Sequence, residues 1–332
     1  MVKNILIIGH SNIGDVCYNL VVVKPLLKHF PQAKISFLTS PRTENIVQGY
    51  EGVDKVFTFN RSSGFFGRLR LMSTLVKNKF DLAIILKSTL MYKFLGIPCS
   101  WSIRKHLKCE LSEKKMHVVD ILLEFLRSHG ISAQEAVFGF GLGQKEKEFC
   151  DTFFVKNGIV AQDKLVGILP LSAWTLKSWP ADKWYELVKN LKNQYGVKVI
   201  AFGKRNDFAQ YPMILDKISS EVIVADQTTL RQAMSLINRC RLFIGPDSGL
   251  LHLASCMGGS SIGLYGPTPR DYIFPYFHRD NMVSSKQKFH CMPCYPALQL
   301  CPCKGKFDFG ACMESINVED VVKLATSLRV CT

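Results

Sequence analysis

The sequence predicts an α/β protein made of two doubly wound parallel-sheet domains in tandem. Three observations carry this expectation. Short unbroken runs of Ile, Val and Leu alternate with amphipathic stretches, the pattern of strands buried on both faces. The alternation lapses into a charged segment near residue 143 and resumes near residue 165. The chain has 332 residues, which suits two medium domains better than one.

Taken in order, "NILIIG" (4–9) reads as the first strand. It resembles a signal peptide only at first glance, because its apolar stretch is short and no small-residue cleavage site follows. "VCYNLVVVKPLLKHF" (16–30) reads as a helix, bent or restarted at Pro25. "KISFLTS" (34–40), "KVFTF" (55–59) and "DLAIIL" (81–86) read as further strands. "GQKEKEFCDTFFVKNGI" (143–159) is charged and helical, then polar, and is the expected linker. The expected domains are therefore 1–157 and 158–332. The second alternation runs through "LVGILPLS" (165–172), the helix "ADKWYELVKNLKNQYG" (181–196) and the strands "VKVIAFG" (197–203) and "EVIVAD" (221–226). It ends with the helix "TLRQAMSLINRC" (229–240) and the strands "RLFIG" (241–245) and "SSIGLYG" (260–266). Two such domains are expected to turn their carboxyl strand ends to a central cleft, where open α/β sheets bind ligands.

Composition excludes several classes. The longest apolar runs, such as "LAIIL" and "VVDILLEFL", are too short to cross a bilayer, so a cytoplasmic location is expected. The chain has 42 Lys and Arg against 27 Asp and Glu, a net charge of +15. That charge favours anionic partners: nucleic acid, a membrane surface or phosphorylated substrates. Zinc-finger and RNP-type motifs are absent, so nucleic acid is not the expected partner. The 12 cysteines, in a large chain with no export signal, suggest reduced thiols or a metal rather than disulfides.

Polar clusters sit where strands end. "LFIGPDSGLLHLA" reads as strand, turn, helix. Asp247 or Ser248 can cap the helix, and Gly249 lets a ligand approach the backbone. The free N–H groups of a helix start carry partial positive charge and bind phosphate. Ser248 and His252 are four residues apart and share a helical face. The plain alternative is a capped helix with a satisfied buried histidine. "PLSAWTLKSWP" (170–180) leaves another strand tip, where Lys177 can pair with a diphosphate and Trp174 and Trp179 can pack. In "FGKRND" (202–207), Asp207 can bind ribose hydroxyls or remain a surface acid. In the first domain, "GHSNIGDV" (9–16) follows the first strand and matches no glycine-rich phosphate loop. Asp15 sits at its loop-to-helix junction, as a cap or as a general base for an attacking hydroxyl.

These residues resemble a known family, the heptosyltransferases of lipopolysaccharide core assembly, glycosyltransferase family 9. "SNIGDV", "PLSAWTLKSWPADKW", "GPDSGLLHLA" and the tail pattern "CMPC…CP…CM" carry the resemblance, which covers about the whole chain. It implies a GT-B fold, with acceptor bound by the first Rossmann-like domain and sugar nucleotide by the second. It implies inverting transfer from an ADP-heptose-like donor to a lipid A or core-type saccharide, with no cofactor and no obligatory metal. By matched position, Asp15 becomes the base and Lys177 contacts the diphosphate. Asp207 replaces the acid that holds the ribose, and Ser248 and Gly249 face the phosphates. Asp247 and His252 complete or support that site. A monomer is expected. Two competing readings keep the fold: another sugar-nucleotide enzyme, such as an epimerase or hydrolase, and a non-catalytic sugar-nucleotide binder.

Two segments are not absorbed by this assignment. Cys291, Cys294, Cys301, Cys303 and Cys312, with His290, have metal-ligand spacing. A structural metal on Cys291, Cys294, Cys301 and Cys312 competes there with free or packed thiols and with a disulfide. "NRSSGFFGRLRLMSTLVKNK" (60–79) has Arg61, Arg68, Arg70, Lys77 and Lys79 and no acid, with Phe65, Phe66, Leu69 and Met72 interleaved. "SIRKHLKCELSEKK" (102–115) adds more basic residues. Both suit docking on an anionic membrane or a phosphorylated lipid, peripheral on the inner face of the inner membrane. The plain alternative is a solvated basic surface.

Overall fold

Eleven parallel strands form among the described residues of the computed structural model, in two sheets that belong to two separate units, Met1–Gly141 and Leu142–Thr332. The structure describes residues 2–60, 62–104, 116–294, 303 and 310–328.

In the first unit, β1 (Asn4–Ile8), β2 (Lys34–Thr39), β3 (Val53–Thr58), β4 (Leu82–Ile85) and β5 (Cys99–Ser102) pair in the order β3-β2-β1-β4-β5. All four pairings are parallel. The aliphatic runs become the central strands because both their faces are covered: Ile5 to Ile8 have no exposure at all. β5, "CSWS", escapes sequence reading because it is a half-exposed edge strand with no aliphatic run. One face of the sheet packs Leu75, Phe80 and Leu95 over Leu6, Ile8 and Leu38. After β1, helix Ile13–Asn19 passes through a 3-10 turn, Leu20–Val22, into helix Val23–His29. The break therefore precedes Pro25 rather than falling on it. Pro25 lies in the first turn of the restarted helix, where its missing N–H costs nothing.

In the second unit, β6 (Leu165–Ile168), β7 (Lys198–Phe202), β8 (Ile223–Ala225), β9 (Leu242–Pro246), β10 (Ser260–Tyr265) and β11 (Met282–Ser284) pair in the order β11-β10-β9-β6-β7-β8. Counted from its own first strand, this is the 3-2-1-4-5-6 order of doubly wound dinucleotide-binding sheets. One face carries Trp184, Leu187 and Leu191 of helix Ala181–Tyr195, with Val318 and Val321 of helix Val318–Ser327. Gly196 ends the first of these helices in the left-handed region, φ 63°. The other face carries helices Leu230–Ile237 and Gly249–Cys256. Thr229 and Gln232 cap the former reciprocally, in the box that "TLRQ" encodes.

The expected linker is instead part of the second unit. Helix Gln144–Lys156 buries Cys150 and Phe154 beside Leu236 and Ile237, and Arg231 Nε donates to Glu146 Oε1 at 2.8 Å. Its charged face looked like a linker because only one narrow stripe turns inward. The division accordingly falls after Gly141, earlier than residue 157. Among the described residues, no helix is long and apolar enough to cross a membrane.

Candidate active site

β6 and β9 are neighbours at the centre of the second sheet. The chain leaves β6 toward β7 on one side and leaves β9 toward β10 on the other. Their carboxyl ends therefore mark the switch point where such sheets hold ligands. The two most distinctive sequence segments, "PLSAWTLKSWP" and "GPDSGLLHLA", emerge at this point.

The loop after β6 is held rigidly. Ser172 N donates to the hydroxyl of the fully buried Ser178 at 3.0 Å. Residues Thr175–Lys177 form a 3-10 turn. Trp179 is fully buried, donates from Nε1 to the Ile316 carbonyl at 3.3 Å and packs edge-on against Trp184. Trp179 thus anchors the loop from which Lys177 projects.

Lys177 Nζ donates to Asp247 Oδ2 at 3.1 Å, and His252 Nε2 donates to Asp247 Oδ1 at 2.7 Å. Both oxygens of Asp247 are thereby engaged, although the residue is only 5% exposed. Burial pushes the Asp247 carboxyl up. The His252 hydrogen bond and the Lys177 ammonium outweigh it and hold the group at about 2. A buried carboxylate is tolerable only with such partners. Because the carboxylate only accepts, the His252 proton facing it sits on Nε2.

Helix Gly249–Cys256 starts directly beyond Asp247. Ser248 is its N-cap by position, in extended backbone, and its side chain makes no cap hydrogen bond. Gly249 is the first helical residue. The helix start therefore presents N–H groups that the helix itself leaves unpaired. Sequence reasoning brought Lys177, Asp247, Ser248, Gly249 and His252 to this place, and the structure gathers all five. It left the partner of His252 open, and that partner is Asp247.

Asp207 does not join this network. It is exposed in the first turn of the short helix Arg205–Gln210, after β7. Two residues escaped the sequence reading. Tyr265, at the end of β10, is buried with no hydrogen-bond partner for its hydroxyl. Burial, and then the Asp247 charge, push its phenol well up. Asp226, after β8, accepts from Arg205 Nε at 3.2 Å. Neither stands in a spacing motif. The register that pairs Leu264 with Pro246 is what brings Tyr265 level with Asp247. A cavity of about 420 Å³ opens beside Tyr265, with Thr268, Arg270, Ser284 and Lys288 in its wall.

In the first unit, Asp15 lies in the first turn of helix Ile13–Asn19, directly after the central strand β1. It is half-buried, and Asn12 Nδ2 donates to its Oδ2 at 3.1 Å. It is not the N-cap; Asn12 is. The loop before it is pinned from three sides: His10 N donates to Asn19 Oδ1, Thr39 Oγ1 to the His10 carbonyl, and Ser40 Oγ to the Ser11 carbonyl. At Gly9 a Cβ would lie 2.4 Å from Phe37 Cε1, so only glycine fits at the turn. The arrangement fixes a carboxylate at the switch point of the first sheet.

The cysteine segment is only partly described. Cys17, Cys99, Cys150 and Cys240, outside this segment, are thiols. Cys291 Sγ and Cys303 Sγ stand 3.3 Å apart, and Cys294 and Cys312 are buried. Cys301 lies outside the described residues. Among those described, no group of three or more His, Cys, Asp or Glu side chains is placed to hold a metal ion. Arg61 and residues 105–115 of the basic segments also lie outside the described residues.

Comparison with known proteins identifies the family and the fold. The sequence profile of glycosyltransferase family 9 (heptosyltransferase) matches residues 68–304. A lipopolysaccharide core heptosyltransferase of Haemophilus influenzae is 25% identical over 310 residues, covering 85% of this chain and 84% of that one. The fold is that of a family 9 glycosyltransferase from Veillonella parvula, with a TM-score of 0.84 at 20% identity over 99% of this chain and 98% of that one. It is similar to the Escherichia coli ADP-heptose lipopolysaccharide heptosyltransferase II, with a TM-score of 0.75 at 20% identity over 98% of each chain. The chain is a glycosyltransferase and belongs to family 9, the heptosyltransferases.

Proposed function

We propose that the enzyme moves a heptose from an ADP-linked donor to a lipopolysaccharide core or related lipid-linked saccharide, with inversion at the anomeric carbon. The observation that carries this reading is the Lys177–Asp247–His252 network at the start of helix Gly249–Cys256. It sets the Lys177 ammonium beside the unpaired N–H groups of that helix start, whose partial positive charge suits a leaving diphosphate. The relatives' names supply the sugar and the acceptor class.

The chemistry is a single displacement. The acceptor hydroxyl oxygen attacks the anomeric carbon, and its proton passes to Asp15 as general base. The bond from that carbon to the diphosphate oxygen breaks, and ADP departs. Attack in line with the leaving group inverts the configuration. Lys177, the N–H groups of the helix start and the Ser248 hydroxyl stabilise the charge that develops on the diphosphate. Asp247 positions Lys177, and His252 positions Asp247. Asp207 holds the ribose. The enzyme works as a monomer at the cytoplasmic face of the inner membrane, where a lipid-linked acceptor is presented.

A thermal-shift comparison of ADP-heptose with UDP-, GDP- and CDP-sugars tests the donor assignment. A melting temperature raised by ADP-heptose alone supports it. Equal shifts with all four, or a shift with another nucleotide only, would falsify it.

A further inference from the structure

The first unit carries an apolar and basic surface that the transfer chemistry does not use. Phe65 and Phe66, in the first turn of helix Gly64–Lys77, are 70% and 83% exposed. Phe94, in the 3-10 turn Met91–Phe94, is 75% exposed. Leu69, four residues after Phe65 on the same helix face, and Leu90 are exposed as well. Single exposed apolar side chains are ordinary, but a group on adjoining elements marks an interaction surface.

The two elements share one underlayer. Leu71, Met72 and Leu75 of the helix pack on the same cluster as Met91, Tyr92 and Leu95 of the turn. Met72, expected in the exposed stripe, therefore belongs beneath it. The Phe65 and Phe66 rings meet edge-on with centroids 5.8 Å apart, forming one apolar knob on this base.

The surroundings are basic. Arg70, on the second turn of the helix, and Lys93, beside Phe94, are exposed here. The one acid between residues 60 and 104 is Asp81, at the start of β4, where the backbone N–H groups of Lys3 and Asn4 bind it. Helix Gly64–Lys77 begins where β3 ends, so its first turn lies at the carboxyl end of the sheet. Asp15, following β1 in the same parallel sheet, lies at that end too.

We propose that this surface docks on an anionic lipid bilayer. Phe65, Phe66, Leu69 and Phe94 enter the headgroup layer, and Arg70 and Lys93 meet lipid phosphates. A second copy of this chain is the weaker fit, because a two-fold contact would lay one basic rim against its like. Docking brings the acceptor end of the first sheet to the lipid surface. The inference stands on exposure and charge and is independent of which sugar is transferred.

The test is co-sedimentation of the full chain with vesicles of phosphatidylcholine alone or mixed with phosphatidylglycerol. The chain is expected to bind the anionic vesicles and to be released by salt. Phe65→Ser/Phe66→Ser should weaken partitioning about tenfold or more, since two aromatic side chains then stay out of the lipid. Phe94→Ser, on the other element, should weaken it independently. Arg70→Gln/Lys93→Gln should erase the preference for phosphatidylglycerol. All three variants should keep the wild-type melting temperature, because the altered side chains lie in solvent. Equal or absent binding of the wild type to both vesicle types overturns the proposal. So does a Phe65→Ser/Phe66→Ser variant that binds as well as wild type. A wild-type dimer that this variant converts to monomer, read by light scattering, assigns the surface to a second copy instead.

Discussion

Lys177 Nζ and Asp247 Oδ2 stand 3.1 Å apart, joining the loops that leave the two central strands of the second sheet. This contact holds an ammonium at the start of helix Gly249–Cys256, and His252 holds the carboxylate from within that helix. On the proposed function, this pair positions the Lys177 ammonium for the leaving diphosphate.

Lys177→Ala is expected to weaken ADP-sugar binding by about 1–3 kcal/mol, the value of a hydrogen bond to a charged group. Calorimetric titration measures it. Unchanged affinity would remove Lys177 from the phosphate site.

The pH dependence of stability follows from Asp247. Its folded-state value of about 2 lies below the ordinary 3.8. A depressed carboxyl contributes stability that is fully present above its unfolded value and is lost as pH falls through the folded one. The loss should amount to about 2 kcal/mol between roughly pH 4 and pH 2. Glu146, held at about 2 chiefly by its hydrogen bond from Arg231, titrates in the same window. Urea unfolding of wild type and Asp247→Asn should therefore be compared across it. The wild type should lose its advantage over the variant as the pH drops. Parallel curves would show that Asp247 is not held ionised by its partners.

Gly9→Ala should destabilise the fold by about 1–3 kcal/mol, because the new methyl group meets the buried Phe37 ring. Urea midpoints measure this. The loop that carries Asp15 begins at Gly9, so turnover should fall with stability. A variant of wild-type stability would show that the turn can shift to accept a side chain.

Much of this was legible in the sequence, and the failures have physical causes. β1, β4, β7 and β9 announce themselves as aliphatic runs because they are buried on both faces. β5 and β11 are short edge strands, and nothing in "CSWS" or "MVS" separates them from loop. Helix Gln144–Lys156 resembles a linker because only Cys150 and Phe154 are fully buried, with Phe149 and Phe153 partly covered beside them. Within the site, the strand-to-helix segment was readable from Asp247, Ser248, Gly249 and His252. The Asp247–His252 bond spans five residues across a helix start, a relation that no periodicity encodes. Tyr265 was invisible for the same reason, since strand register brings it to Asp247.

In the proposed reaction Asp15 takes the proton of the attacking hydroxyl. Turnover and donor binding of Asp15→Asn, measured with ADP-heptose and a heptose-deficient core acceptor, test it most directly. Turnover should fall by about a hundredfold or more, the scale of lost general-base catalysis, with donor affinity unchanged. Turnover within a few-fold of wild type would contradict it.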